Sequence, residues 1–215
     1  MEAPLLIIGA GGHAAEVAAY ARDLGLPLAG AIDDGKPPGP WQTTRILGGT
    51  RDLPAFCRDH AEVRFLTAFG DNDLRKKVLL RLAALGLANL KPFTLRHATV
   101  WTGLEVEIGE GTLLAPRVVV TTRTRLGRHC ILNVHASVAH DCVIADFVNL
   151  NPGVTLCGNV TVGEGAYVGA GAVVKEKISI GRGVIVGAGA VVVRDLPDHV
   201  TAVGVPARII KTRTP

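Results

Sequence analysis

His140 and Asp141 are the adjacent side chains in this chain that are best suited to proton transfer. A carboxylate beside an imidazole strengthens the ring as a base and fixes which nitrogen carries the proton. Gly158 follows eighteen residues later, and its backbone N–H is a candidate hydrogen-bond donor. We predict that His140 is a general base, that Asp141 supports it, and that Gly158 lies beside them if the fold stacks these positions.

A second set of candidate residues lies in a glycine-rich segment near the start of the chain. Residues 9–14 have the sequence Gly-Ala-Gly-Gly-His-Ala, which fits the relaxed dinucleotide fingerprint Gly-x-Gly-x-x-Ala, and Asp33 follows about twenty residues later. Such a loop before a helix offers backbone N–H groups to a phosphate or to sugar oxygens. A lone fingerprint is weakly specific. NAD-type binding, another nucleotide-linked ligand and a purely structural turn therefore all stay open, and the second is favoured.

The elements around this loop alternate between strand and helix. Apolar runs predict strands over residues 4–8, 28–32 and 65–69. An amphipathic helix follows the glycines, a basic helix is expected over 72–85, and residues 35–40 form a Pro/Gly-rich loop. This order predicts an α/β half-Rossmann domain over residues 1–95.

The second half of the chain repeats every six residues. Fifteen successive positions at this spacing hold only Leu, Ile or Val, and they are Ile108, Leu114, Val120, Leu126, Leu132, Val138, Ile144, Leu150, Leu156, Val162, Val168, Val174, Ile180, Val186 and Val192. A period of six drifts around an α-helix, and each interior Gly would cost a helix about 1 kcal/mol. A solenoid of short parallel strands accommodates the pattern. We identify it as an all-β left-handed parallel β-helix over residues 96–215, with three hexads per triangular coil.

In a coil of eighteen residues, positions eighteen apart stack on one face. Gly158 is therefore expected to lie against His140, which occupies an outward position of its hexad. The same spacing stacks Pro152, Ala170 and Ala188 in another column. Small side chains in that column would let an extended ligand lie against the backbone.

Composition excludes several classes of protein. A chain that is 48% hydrophobic and 20% charged is not disordered. No apolar run approaches the roughly 18 residues of a membrane span, and the four cysteines lack Cys-x-x-Cys spacing, so we expect a cytoplasmic protein with reduced thiols. The net charge of +4 comes without a basic-aromatic pattern, which argues against nucleic acid. Four arginines form either an anion-binding patch or a solvated face, namely Arg117, Arg123, Arg125 and Arg128.

The combination of motifs resembles the PglD/NeuD-like sugar acyltransferases of bacterial surface-glycan pathways. The matching segments, in chain order, are residues 8–13, 33–34, 69–72, 75–77, 133, 140–144, 151–153, 158–160 and 203–208. The resemblance covers almost the whole chain. It implies an enzyme that uses acetyl-CoA as co-substrate, requires no metal, acts on a nucleotide-linked amino sugar and works as a homotrimer with its active site between adjacent prisms.

The resemblance also implies roles for particular residues. His140 takes the proton of the sugar's amine, and transfer is direct, in a ternary complex. Acetyl-CoA or the oxyanion is contacted by Asn149, Gly158, Ala170 and Ala188. The nucleotide sugar is contacted by Gly11, Gly12, His13, Asp33, Asp34 and Gly70. The favoured acceptors are UDP-, dTDP- or GDP-linked 4-amino-4,6-dideoxy sugars, whereas the sugar itself, N- against O-acetylation and the acyl length stay open.

Two departures from the family pattern and three alternatives accompany this interpretation. Ala139 stands where relatives often carry an acid, and Asn149 stands where many have a second histidine.

O-acetylation of sialic acid or another sugar is the nearest alternative. His135 and His140 have a spacing similar to that of γ-class carbonic anhydrases, so a metal enzyme is a second alternative. A non-catalytic scaffold that binds nucleotide sugars is a third.

Overall fold

The computed structural model describes residues 2–213, and the chain divides into two compact units, Met1–Leu95 and Arg96–Pro215. No helix within residues 2–213 is long and apolar enough to cross a membrane. All four cysteines are free thiols, and three of them are buried.

The first unit is an α/β domain. Its elements are β1 (Leu5–Ile8), α1 (Gly12–Asp23), β2 (Leu28–Ile32), β3 (Gly39–Trp41), β4 (Thr44–Gly48), a 3₁₀ helix (Thr50–Asp52), α2 (Leu53–Arg58), β5 (Val63–Thr67), α3 (Asn72–Ala84) and β6 (Leu90–Pro92). They form one sheet with the order β3-β4-β2-β1-β5-β6, in which only β3 and β4 pair antiparallel. This arrangement confirms the predicted half-Rossmann fold.

The centre of this sheet places the glycine-rich loop. All four residues of β1 are buried, as expected for a central parallel strand. The strand ends at Gly9, whose φ of 107° and close approach to the Phe69 ring, 3.0 Å from where a β-carbon would lie, both require glycine. Helix α1 begins at Gly12 and buries one face, formed by Ala14, Val17, Ala18 and Ala21.

Residues 39–58 hold more structure than the sequence predicts. The end of the expected loop forms strand β3, which pairs with β4 in an antiparallel hairpin. The 3₁₀ helix and α2 follow. Strands of three to five residues that contain Pro40 and Gly39 lack the alternation that identifies a strand in sequence.

The second unit is a β-helix of short strands. They are β7 (Leu95–Arg96), β8 (Trp101–Thr102), β9 (Glu107–Ile108), β10 (Leu113–Leu114), β11 (Val119–Val120), β12 (Arg125–Leu126), β13 (Ile131–Leu132), β14 (Ser137–Val138), β15 (Val143–Ile144), β16 (Asn149–Leu150), β17 (Thr155–Leu156), β18 (Thr161–Val162), β19 (Tyr167–Val168), β20 (Val173–Val174), β21 (Ser179–Ile180), β22 (Ile185–Val186), β23 (Val191–Val192), β24 (Val200–Val203) and β25 (Arg208–Thr212).

These strands build three faces of a prism. Face 1 contains β7, β10, β13, β16, β19, β22, β24 and β25, face 2 contains β8, β11, β14, β17, β20 and β23, and face 3 contains β9, β12, β15, β18 and β21. The chain passes from face 1 to face 2 to face 3 and back, so we name the corners 1–2, 2–3 and 3–1. The parallel stacking confirms the predicted left-handed β-helix.

The hexad positions fill the core of the prism. From β8 to β20, each strand pairs in parallel with the strand eighteen residues later, as in Ser137 with Thr155, whereas β22 pairs with β24 sixteen residues later. Fourteen of the fifteen predicted aliphatic positions are buried, and the first, Ile108, is half-buried and packs against the same core. The core is therefore a ladder of aliphatic side chains.

The prism is longer than the aliphatic pattern indicates. It begins with β7 and β8, whose hexad positions hold Arg96 and Thr102. It ends with β24 and the exposed antiparallel strand β25. The first coil departs from the repeat, so a search for Leu, Ile and Val misses it.

Candidate active site

His140 and Asp141 form a hydrogen-bonded pair at corner 2–3. Asp141 has a left-handed backbone with φ of 59°, a conformation that Asp tolerates better than most residues. The His140 Nδ1 lies 2.6 Å from Oδ2 of Asp141, and the His140 side chain is 53% exposed. Because an ionised carboxylate only accepts hydrogen bonds, we assign the proton to Nδ1. The Nε2 lone pair then points away from Asp141 and can take a proton.

Gly158 lies against the imidazole ring, one coil further along the chain. A β-carbon on Gly158 would lie 2.6 Å from Cε1 and 2.7 Å from Nε2 of His140. Real β-carbons do not approach other atoms so closely, so the ring position requires glycine. The Gly158 N–H donates to no acceptor within residues 2–213, which leaves it available beside the imidazole.

Arg123 holds the other side of the Asp141 carboxylate. Its Nε lies 2.7 Å from Oδ1 and its Nη2 lies 3.0 Å from Oδ2, a bidentate pair between consecutive coils. The hydrogen bond from Arg123, followed by that from His140, lowers the pKa of Asp141 from 3.8 to about 2. Asp141 therefore stays ionised throughout the neutral range.

The column of small residues lies at a different corner. Ala170 and Ala188 follow face 1 strands, so they stack with Pro152 at corner 1–2, and all three are exposed. The next residues, Gly171 and Gly189, have open space where a β-carbon would lie. Corner 1–2 is thus a shallow, exposed edge on which backbone is accessible over two coils.

Asn149 lies apart from both corners. It pairs with Ile131 and Tyr167 on face 1 and is only 2% exposed. Within one chain, therefore, the structure brings His140, Asp141 and Gly158 together, brings Ala170 and Ala188 together, and leaves Asn149 buried on a face.

In the first unit, Asp33 joins the two loops at the carboxyl ends of β1 and β2. Its carboxylate accepts the N–H of Ala10 at 2.7 Å and the N–H of Gly35 at 2.9 Å. The Nζ of Lys36 donates to the carbonyl of Ala10 at 2.5 Å. These three contacts hold the glycine-rich loop in place, so Asp33 shapes the loop that it was predicted to face.

Asp34 is also held by the fold. It accepts hydrogen bonds from the N–H of Thr50 at 2.6 Å and from its hydroxyl at 2.9 Å, at the start of the 3₁₀ helix. Arg81 adds an ion pair at 3.7 Å. Both aspartates therefore have structural contacts before any ligand is considered.

His13 presents a polar atom that the protein leaves unsatisfied. Its Nδ1 lies 3.2 Å from Glu16, while its Nε2 is buried and has no hydrogen-bond partner within residues 2–213. Buried polar atoms normally have partners, so this nitrogen is a position that a bound ligand could satisfy.

The remaining glycines of this set are open. Gly11, Gly12 and Gly70 are exposed, and a β-carbon on any of them would meet nothing within 4 Å. Packing therefore does not explain why these positions lack a side chain, and their exposed backbone is open to close approach by a ligand.

The arginine cluster is largely neutralised. Arg123 pairs with Asp141, Arg128 pairs with Asp146 at 2.9 Å, and Arg125 pairs with Glu107 at 3.2 Å. These pairs join consecutive coils, which favours the solvated-face interpretation over an anion-binding patch. The ion pair of Arg123 with Asp141 is not among the sequence predictions, although the separation of eighteen residues places both at the same corner of consecutive coils.

Two other chemistries find little support in the geometry. His135 lies at corner 1–2 and His140 at corner 2–3, and no group of three or more His, Cys, Asp or Glu side chains in the described part of the chain could hold a metal ion. Burial raises the pKa of the Cys142 thiol, and its Sγ donates to the carbonyl of Cys157 at 3.3 Å. A buried neutral thiol is a poor nucleophile.

Comparison with known proteins agrees with both units. The PglD N-terminal domain family matches residues 4–82, and the bacterial transferase hexapeptide family (six repeats) matches residues 141–176 and 159–194. The GDP-perosamine N-acetyltransferase of Escherichia coli O157:H7 is 35% identical over 112 residues, which are 52% of this chain and 49% of that protein. The chain thus spans about half the length of this curated relative.

Solved structures match along nearly the whole chain. A mutant of perosamine N-acetyltransferase from Caulobacter crescentus, in complex with CoA and GDP-perosamine, has a TM-score of 0.92 and 34% identity and covers 98% of both chains. The acetyltransferase domain of PglB from Neisseria gonorrhoeae FA1090, in complex with acetyl coenzyme A, has a TM-score of 0.84 and 31% identity over 98% of this chain and 100% of that one.

A half-Rossmann domain followed by a left-handed β-helix with an exposed His–Asp pair is the architecture of a hexapeptide-repeat acyltransferase. Within that class, the chain belongs to the PglD/NeuD-like family of sugar acyltransferases.

Proposed function

We propose that this protein transfers the acetyl group of acetyl-CoA to the amino group of a nucleotide-linked 4-amino-4,6-dideoxy sugar for surface-glycan synthesis. The observation that carries the proposal is the His140–Asp141 pair, fixed over Gly158 on an exposed corner of the prism. The relatives of E. coli and C. crescentus make GDP-perosamine the first acceptor to test.

The proposed reaction is a direct transfer. The sugar's amine nitrogen attacks the thioester carbonyl, an N–C bond forms, and the C–S bond breaks. The amine proton moves to Nε2 of His140, and CoA leaves as a thiolate that then takes a proton. Asp141 stabilises the imidazolium that forms, because it stays ionised. No acyl-enzyme is needed, in keeping with the buried neutral Cys142.

Acetyl-CoA is proposed to lie along corner 1–2, against Ala170 and Ala188. The exposed backbone there suits a thin pantetheine arm, because no side chain beyond a β-carbon projects from either position. The free N–H of Gly158 is proposed to donate to the thioester oxygen as it gains negative charge. Asn149 is 2% exposed, so its proposed contact requires that its side chain become accessible in the complex.

We propose a homotrimer, and the separation of the two corners supports it. His140 lies at corner 2–3 and the alanine column at corner 1–2, on different edges of one prism. A CoA molecule on the corner 1–2 of one copy would reach the base at corner 2–3 of a neighbour when three prisms pack side by side. Sedimentation equilibrium at micromolar concentration should give three times the chain mass, and a monomer would contradict a site between copies.

The first unit is proposed to bind the nucleotide sugar. The unsatisfied Nε2 of His13, the loop held by Asp33 and the open glycines Gly11, Gly12 and Gly70 support this role. Asp34 is proposed to contact the ligand through the carboxylate that also holds Thr50. Both proposed substrates are metabolites of the cytoplasm, which is where we place the protein.

The acceptor is tested by measuring CoA thiol release from acetyl-CoA with a panel of acceptors. The panel contains UDP-, dTDP- and GDP-linked 4-amino sugars and free sialic acid. Release with one nucleotide-linked amino sugar is the expected result. Release with sialic acid alone would move the assignment to O-acetylation. The proposal would be contradicted if no acceptor caused CoA release and the protein also failed to bind acetyl-CoA.

A further inference from the structure

Asp141 is shared between two partners that lie in different coils. Its Oδ2 accepts from Nδ1 of His140 at 2.6 Å and from Nη2 of Arg123 at 3.0 Å, while Oδ1 accepts from Nε of Arg123 at 2.7 Å. The carboxylate is therefore oriented by a two-point contact from the preceding coil. Both of its oxygens are therefore engaged by Arg123, while the imidazole engages one of them.

The backbone fixes Arg123 for this contact. Arg123 and Asp141 occupy equivalent corner positions eighteen residues apart, and both have left-handed backbones, with φ of 52° and 59°. The N–H of Arg123 is bonded to the carbonyl of Leu104, and the N–H of Asp141 to that of Thr122. The left-handed conformation is unfavourable for a long non-glycine side chain, and at this corner it turns both side chains toward each other's coil.

We propose that Arg123 is a positioning residue for the general base: it locks Asp141 toward His140 and weakens the carboxylate's pull on the imidazole proton. The proposal rests on the proposed function of His140. It extends that function by a third residue, one coil away, that acts through its contact with Asp141.

The charged groups around Arg123 and Asp141 determine the direction in which Arg123 acts on His140. Below Arg123 in the same corner column lies Glu105, which attracts Arg123. Above Asp141 the column continues with Asn159 and Lys177, and Lys177 is separated from Asp141 by a whole coil. Glu176, in the column of His140, lies 3.5 Å from Lys175. Arg123 is thus the cation in direct contact with Asp141.

Removal of Arg123 should therefore make the base harder to deprotonate. Without the guanidinium, the carboxylate holds the proton of the imidazolium more strongly. At the high effective dielectric of an exposed site, losing one unit charge from the immediate neighbourhood of the ring corresponds to a shift of roughly half a pH unit to one unit. The acidic limb of kcat/KM should move to higher pH by that amount in Arg123→Gln, and Arg123→Lys should restore most of the shift.

Arg128→Gln is the matched control. Arg128 also binds an aspartate of the next coil, Asp146, but at corner 3–1 and with Nε and Nη2 both on the single oxygen Oδ2. The variant should lose a comparable structural contact without moving the pH profile. An unmoved limb in Arg123→Gln, or an equal shift in Arg128→Gln, would overturn the proposal.

A second readout separates this proposal from the proposed reaction. The imidazole of His140 is titrated by NMR in the substrate-free protein, with its resonance assigned from its loss in His140→Ala. In Arg123→Gln the titration midpoint should rise by roughly half a unit to one unit, whether or not any acceptor is turned over. An unchanged midpoint would reject the role of Arg123, whereas a shifted midpoint without turnover would place the failure in the choice of acceptor.

Discussion

The imidazole of His140 lies so close to Gly158 that a β-carbon at position 158 would be 2.6 Å from Cε1 of the ring. The two residues are eighteen apart and belong to consecutive coils, so the repeat of the prism brings them together. The absence of a side chain at position 158 thus determines where the imidazole lies. This relationship gives the most specific test of the corner 2–3 site.

Gly158→Ala should displace the ring and reduce kcat about 100-fold, within the range of general-base catalysis. In the His140→Ala background the same substitution has room, so it should cause no further loss of rate and little loss of stability. Steady-state rates and urea midpoints of the four variants form a double-mutant cycle. Additive losses would show that Gly158 acts independently of the ring.

Asp141→Asn should lower kcat by about 10–100-fold, because the amide keeps the shape and tolerates the left-handed backbone but cannot stabilise an imidazolium. Asp146→Asn is the control, since Asp146 also binds an arginine of the preceding coil, Arg128, at another corner but has no hydrogen bond to a histidine within residues 2–213. Its kcat should equal that of the native protein. Equal effects of the two substitutions would mean that Asp141 is only structural.

Acid should weaken the prism through its corner carboxylates. Hydrogen bonds from Arg123 and His140 lower the pKa of Asp141 to about 2. Burial raises the pKa of Asp146, but hydrogen bonds from Arg128 outweigh burial, so this pKa is also lowered. A depressed folded-state pKa gives stability that is present above the unfolded value of about 3.9 and is lost as pH falls toward 2. The difference in urea midpoint between native protein and Asp141→Asn should therefore shrink from pH 5 to pH 2. A difference in urea midpoint that does not change with pH would contradict stabilisation of the protein by the ionised Asp141.

Gly70→Val tests the first unit. Position 70 is exposed with open space around a new side chain, so the protein should fold, while the branched side chain blocks the approach of a ligand. The KM for the nucleotide sugar should rise about tenfold, equivalent to roughly 1.4 kcal/mol, and hydrolysis of acetyl-CoA without acceptor should not change. Ala84→Val, at the exposed end of α3, is the control. An unchanged KM would exclude the loop from the sugar site.

The sequence predicts the prism well because a β-helix obeys one strict spacing. Every hexad position points inward, so the period alone identifies core positions such as Leu132 and Val168, and it stacks Gly158 on His140. The same argument fails at the first coil, where Arg96 and Thr102 occupy hexad positions. It also fails for the hairpin of β3 and β4, which has no periodic pattern.

The site is predicted less completely than the fold. Spacing shows which residues share a corner, but it does not show which partner a side chain chooses. Asp141 was assigned to His140 alone, whereas it also binds Arg123. Asp33 was expected to face a ligand, and its two oxygens accept backbone N–H groups from the loops. Such choices depend on side-chain conformations, which only the folded structure determines.

The central claim is that His140 is the base for direct acetyl transfer. It is tested most directly by measuring kcat for CoA release with acetyl-CoA and GDP-perosamine in native protein and in His140→Ala, together with the Kd for acetyl-CoA. We predict a loss in kcat of at least about 1,000-fold with the Kd essentially unchanged. Retention of turnover in His140→Ala would contradict the assignment.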